Sequence, residues 1–87
     1  MDDIRMLCIT YRKDDDLVID DSWKNNLTLP KGWEWNRTEP IEGPGDIVYL
    51  FQEIFEGPPE FLNEVGQILN ELCTNNSQRF PGFTIGW

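Results

Sequence analysis

The side chains in this chain with chemistry to offer are carboxyls and indoles. Asp14, Asp15 and Asp16, followed by Asp20 and Asp21, gather oxygen ligands of the kind calcium takes. An EF-hand loop needs alternating ligands, a central Gly and a Glu at its twelfth position, and this stretch departs from that order. Residues 14–16 are expected to form a solvated loop tip. Two carboxyls can also share the work of glycoside hydrolysis, but that reaction needs a deep cleft, which a chain of 87 residues rarely builds. There is no histidine, so the commonest general base and metal ligand is missing, and Ser-His and Cys-His nucleophiles are excluded with it. No Cys-x-x-Cys spacing offers zinc a site, and Gly43, Pro44 and Gly45 read as a turn rather than a phosphate loop. No catalytic residue, cofactor or metal is expected.

The indoles are more informative. Trp33 and Trp35 stand one residue apart in "LPKGWEWNRTEP", between Lys31 and Arg37. In an extended segment they share a face, with Glu34 on the other. All four tryptophans (Trp23, Trp33, Trp35, Trp87) suit the core of a domain short of apolar volume. Alternatively, Trp33 and Trp35 anchor an interface at a sheet edge, because Trp is enriched among binding hot spots. A third use is stacking on a sugar or aromatic ligand.

Charge sets the class of partner. Sixteen Asp and Glu oppose seven Lys and Arg, for a net charge of −9. Such a chain repels phosphate backbones and anionic lipid, so neither nucleic acid nor membrane is expected as a direct partner. The imbalance is local: residues 1–37 hold eight acids and six bases, whereas residues 38–78 hold eight acids and no base. A segment of one sign makes a directional field that steers a basic partner. Cys8 and Cys73 are expected as two buried thiols, and Asn26, Asn36 and Asn75 as chance glycosylation sequons. Neither a signal-like leader nor an apolar run of the roughly 18 residues that span a bilayer is present, which points to a cytoplasmic setting.

These groups need elements to position them. Residues 1–87 are expected as a single α+β domain, with a β-rich half over 3–37, a two-helix segment over 46–75 and a C-terminal strand over 80–87. "IRMLCITY" (4–11) and "LVID" (17–20) read as an antiparallel hairpin, with Leu7, Ile9 and Tyr11 on one face and Ile4, Met6 and Cys8 on the other. Residues 33–35 leave room for a short third strand. In "GDIVYLFQEIFEG" the apolar residues Ile47, Val48, Leu50, Phe51, Ile54 and Phe55 fall at helical spacing, with Asp46 as N-cap and Gly57 as the stop. Phe61, Leu62, Val65, Ile68, Leu69, Leu72 and Cys73 repeat the pattern in a second helix, with Pro59 in its first turn. Phe83, Ile85 and Trp87 alternate as the closing strand. The predicted architecture is a small antiparallel sheet, the N-terminal hairpin plus the C-terminal strand, packed against an acidic helical hairpin.

On that scaffold, Asp46, Tyr49, Glu53 and Glu56 form a polar stripe on the first helix, and Glu60, Glu64, Gln67 and Glu71 form one on the second. With Trp33 and Trp35, these residues other than Gln67 are the candidate partner-binding residues. The function expected is a small acidic inhibitor that blocks a basic surface, nucleic-acid-facing or catalytic, of a larger protein. In size and charge alone the chain resembles immunity, anti-restriction and anti-CRISPR proteins. The alternative is a non-catalytic accessory or assembly subunit that binds through aromatic and apolar surface.

Overall fold

The computed structural model describes residues 3–17 and 20–86. Four strands form one antiparallel sheet: β1 (Arg5–Arg12), β2 (Glu34–Glu42), β3 (Val48–Gly57) and β4 (Thr84–Gly86), in the spatial order β2-β3-β1-β4. One helix, α1 (Leu62–Asn75), packs on it over β1 and β4. The protein is α+β with a small antiparallel sheet.

β1 alternates as its sequence dictates. Leu7, Ile9 and Tyr11 are buried on the helix side, while Met6, Thr10 and Arg12 fall on the opposite face. Its partners differ from the expected hairpin. β3 and β4 occupy both of its edges, leaving none for a strand from 17–20; Leu17 is in no strand, and Val18 and Ile19 lie outside the described residues. β3 and β4 both run antiparallel to β1 and therefore parallel to each other, with α1 carrying the chain across β1 between them.

The largest correction concerns the first expected helix: Val48–Gly57 form a strand, and Asp46 and Ile47 lie before it. The spacing of Ile47 to Phe55 satisfies a helical face, but the same residues are mostly β-branched or aromatic, the types that suit a pleated surface. As β3 they sit between β1 and β2, with Phe51, Glu53 and Phe55 facing the helix side and Leu50, Gln52 and Ile54 facing away. Strand neighbours flank residues 50–56 on both sides, giving them contacts that a single helical face would have denied to half of them. Gly43, Pro44, Gly45 and Asp46 then make the β2-β3 hairpin turn. It is closed by the Gly43 N–H donating to the Ile47 carbonyl (2.8 Å), with Gly45 and Asp46 at φ 79° and 60°. Asp46 is thus an exposed turn residue rather than an N-cap. The expected short strand at 33–35 is also longer than its two tryptophans suggested. It runs on through Pro40, which an edge strand tolerates because no ladder bond is lost where the missing N–H would have faced solvent.

Among the described residues one α-helix covers the sheet. Val65, Leu69 and Cys73, four apart, put its apolar stripe on β1 and β4. The half of the sheet formed by β2 and β3 is roofed instead by the connection between β1 and β2, whose Trp23 packs edge-on against Phe55 (6.2 Å) and Phe80 (5.4 Å). Leu27, Leu29 and Trp35 complete that roof. Each such large side chain contributes roughly 1.5–3 kcal/mol by leaving water, so tryptophans perform the covering role assigned to a second helix. β4 lies within the expected 80–87 strand, and Trp87 is outside the described residues. Among the described residues no helix is long and apolar enough to cross a membrane.

Candidate acidic binding surface

The candidate residues separate into an interior set and a surface set. Glu53 is fully buried on β3 and accepts three hydrogen bonds: from the Tyr11 hydroxyl (2.6 Å), the Trp35 indole N–H (3.0 Å) and the Thr38 hydroxyl (2.6 Å). A β-bulge makes this convergence possible. Trp35 pairs with Phe55 and Arg37 with Ile54, so Asn36 is an extra residue on β2. In an unbroken strand Trp35 and Thr38 would face opposite ways; the bulge turns both toward the same carboxyl oxygen, Oε1. Arg79 extends the network, donating from Nη1 to the Tyr11 hydroxyl (3.2 Å) and from Nε to the Asp20 carbonyl (3.0 Å). Burial, and next the hydrogen bond to Glu53, push the Tyr11 phenol well above its usual range. Burial, with the field of Glu53 behind it, pushes the Cys73 thiol up to about 12. Cys8, expected to be buried, is half-buried on the outer face, where burial again raises its thiol.

Trp33 belongs to the interior as well. It is 5% exposed, lies flat across Gly57 and donates its indole N–H to the Glu60 carbonyl (3.0 Å). The Lys24 ammonium stands 3.3 Å above the centre of the Trp35 ring. Trp33 and Glu53 are buried and are therefore corrected from contact residues to structural ones, whereas Trp35 is partly buried, with its N–H bonded to Glu53 and Lys24 over its ring.

The other candidates remain at the surface but at two separate ends. Asp46 lies in the β2-β3 turn, and Tyr49, half exposed, is the extra residue of a second bulge. Glu56 and Glu60 lie at the far end of β3, roughly 30 Å away along a ten-residue strand. Glu64 starts α1 at that same end, and Glu71 is two turns further along. The stripe of Asp46, Tyr49, Glu53 and Glu56 predicted on a helix therefore does not exist. What forms is an acidic end built from Glu56, Glu60, Glu64 and a residue the spacing did not flag, Glu34, directly across from Glu56 in the sheet. Phe61 was also missed as a surface group: it was assigned to the apolar helix face, but is 46% exposed at φ 68°, just before α1. The helix begins at Leu62, after the turn containing Pro58 and Pro59, so Phe61 never joins the apolar stripe.

Asp14, Asp15 and Asp16 are exposed, and among the described residues no group of three or more Cys, Asp or Glu side chains is placed to hold a metal ion. An open groove of about 780 Å³ lies between α1 and the β4 side of the sheet. No protein-family model, curated protein or solved structure matches this chain.

Proposed function

We propose that this protein is a non-catalytic inhibitor that binds a basic surface of a larger protein, nucleic-acid-facing or catalytic, and blocks it. The observation that carries this reading is where charge stays unmatched. Arg5, Arg12, Lys24 and Arg37 are each held by a nearby acid, Asp3, Asp14, Asp21 and Glu39 respectively, at 3.3–3.9 Å. Arg79 is turned toward Tyr11. Glu34, Glu42, Asp46, Glu56, Glu60, Glu64 and Glu71 have no ion-pair partner among the described residues. Exposed ion pairs contribute little stability, but they cancel the field of those four bases; Lys13 and Lys31 have no ion pair among the described residues, and the unpaired acids outnumber them and dominate at long range.

Two features at the acidic end support a contact there. Glu34 and Glu56 are like charges directly opposite in a sheet, an arrangement that costs stability. Phe61 holds a bulky side chain in left-handed backbone, at a cost of about 1–2 kcal/mol, and leaves it half in water between Glu60 and Glu64. Strained, exposed groups of this kind gather where a surface is used, and an aromatic ring supplies the desolvated contact that charge alone lacks.

The test is capture of partners by the intact protein from its native cell and from cells it acts upon, followed by affinity measurement against salt. Recovery of a basic protein whose affinity drops steeply with added salt, and about tenfold on Glu60→Lys or Glu64→Lys, supports the reading. Salt-insensitive binding lost on Tyr49→Ala would favour instead an accessory subunit, a reading supported by the exposure of Ile4, Ile47 and Tyr49.

A further inference from the structure

The two edges of the sheet are built differently. β2 is a blunted edge: it carries Glu34, Arg37, Glu39 and Glu42, contains Pro40, and is bent by two register shifts. These are the devices by which proteins prevent edge pairing. β4 is protected only by its shortness. Its three residues, Thr84, Ile85 and Gly86, are uncharged, pair with β1 in continuous register, and have no strand on their outer side among the described residues.

Beside that edge lies the 780 Å³ groove, with Leu7, Leu62 and Ile85 among its walls. Two glycines line it, one from each element. Gly66 sits inside α1, where glycine is the poorest helix former after proline, and Gly86 sits in β4, where it weakens a strand. Neither has a positive φ, and among the described residues a Cβ on either would meet nothing within 4 Å. Backbone conformation and internal packing therefore explain neither residue. Glycine with open space on an element facing a free edge marks a place where another backbone approaches closely. Asn63, Gln67 and Asn70 place side-chain amides along the α1 wall, suited to bonding the polar groups of an extended chain. Glu71 lines the same wall, and no base lines the groove.

We propose that an extended segment of the partner, alternating apolar and basic residues, adds to β4 as a fifth strand with its apolar side chains in this groove. Main-chain bonds to β4 provide the affinity, and the spacing of apolar groups under α1 provides selection, as in other strand-addition complexes. The basic character of the segment rests on the inhibitor reading above; the groove and the free edge do not. A second copy of this chain is a poor occupant, since each copy carries −9.

The probe is a fluorescent peptide of alternating Val and Lys, compared with one of alternating Val and Glu and with an N-methylated Val-Lys peptide that cannot pair with an edge. Saturable binding of the Val-Lys peptide alone is expected, with amide shifts in isotope-labelled protein centred on residues 62–71 and 84–86. Gly66→Leu should keep the melting temperature of the parent and weaken the peptide at least tenfold. Gly66→Ala should melt roughly 4 °C higher, which checks that the glycine is not needed for folding. Equal binding of the N-methylated or Val-Glu peptide, shifts confined to β2 or to Glu60 and Glu64, or dimerisation of the free protein would overturn the proposal. So would a loss of stability in Gly66→Leu, since the space would then be filled from within the chain. Salt-sensitive capture of a basic protein that persists in Gly66→Leu removes the groove but leaves the inhibitor reading standing; failure to capture any basic protein removes that reading, while peptide shifts at β4 would still stand by themselves.

Discussion

Three donors from two strands converge on the carboxyl of Glu53, which makes this one side chain the polar keystone of the interior. A buried acceptor that is removed leaves its donors unsatisfied, each at a cost of about 1–3 kcal/mol where water cannot reach. Glu53→Ala should therefore lose roughly 3 kcal/mol in urea unfolding, with Glu53→Gln losing less because one acceptor oxygen remains. A loss under about 1 kcal/mol for the alanine variant would show that water replaces the carboxyl without strain. The neighbouring Cys73 and Tyr11 give the stability a pH dependence. Both are acids whose folded pKa lies above the unfolded value, Cys73 at about 12 against 9.0. Their contribution is complete below pH 9 and disappears as pH rises: the unfolded thiol ionises first, and the unfolded phenol follows from pH 10. Melting temperature should fall from pH 9 upward, and Cys73→Ala should flatten that fall between pH 9 and 10. An unchanged slope would exclude the thiol as its source.

Among the elements, β3 decides most of the architecture, and its last residue shows how tightly it is fitted. A Cβ on Gly57 would lie 2.4 Å from Trp33 Cδ2 and 2.5 Å from Cγ, at the rigid base of the indole. Gly57→Ala must displace Trp33 and break its bond to the Glu60 carbonyl. We expect a loss of about 1–3 kcal/mol in denaturant unfolding and a red-shifted tryptophan emission; unchanged emission would mean the ring does not rest on that glycine. Elements with a single exposed face were legible in the sequence. β1 shows plain alternation in Leu7, Ile9 and Tyr11, and α1 a repeat of four in Val65, Leu69 and Cys73. β3 was not legible, because it buries consecutive residues of both parities, Glu53, Ile54 and Phe55, and such a run matches a helical face as well as a strand.

At the scale of the whole molecule, charge and fold are set against each other at the acidic end. Glu34 and Glu56 face one another across β2 and β3, and Glu60 and Glu64 follow close behind in the chain. Replacing Glu34 by Lys converts the like-charged pair to an opposite-charged one and should raise stability by about 0.5 kcal/mol. The same variant should weaken capture of a basic partner. A gain in stability with no change in binding would place the contact elsewhere on the surface.

Composition and local spacing by themselves determined an α+β protein with a sheet face led by β1, the α1 stripe and an acid excess concentrated after residue 37, because each depends only on residue type and short-range periodicity. Whether an acid or an indole faces water depends on strand pairing and register, which join residues far apart in sequence. Glu53 has the sequence context of a surface acid, yet pairing with β1 and the bulge at Asn36 turn it inward. Trp33 and Trp35 had the spacing of a displayed pair, yet the sheet half left bare by the missing second helix needed their rings as cover. Phe61 had the spacing of a core residue, and the turn before α1 put it in solvent. For Glu53 and the two tryptophans the cause is the same: burial is decided by what lies across the sheet, and that information is non-local.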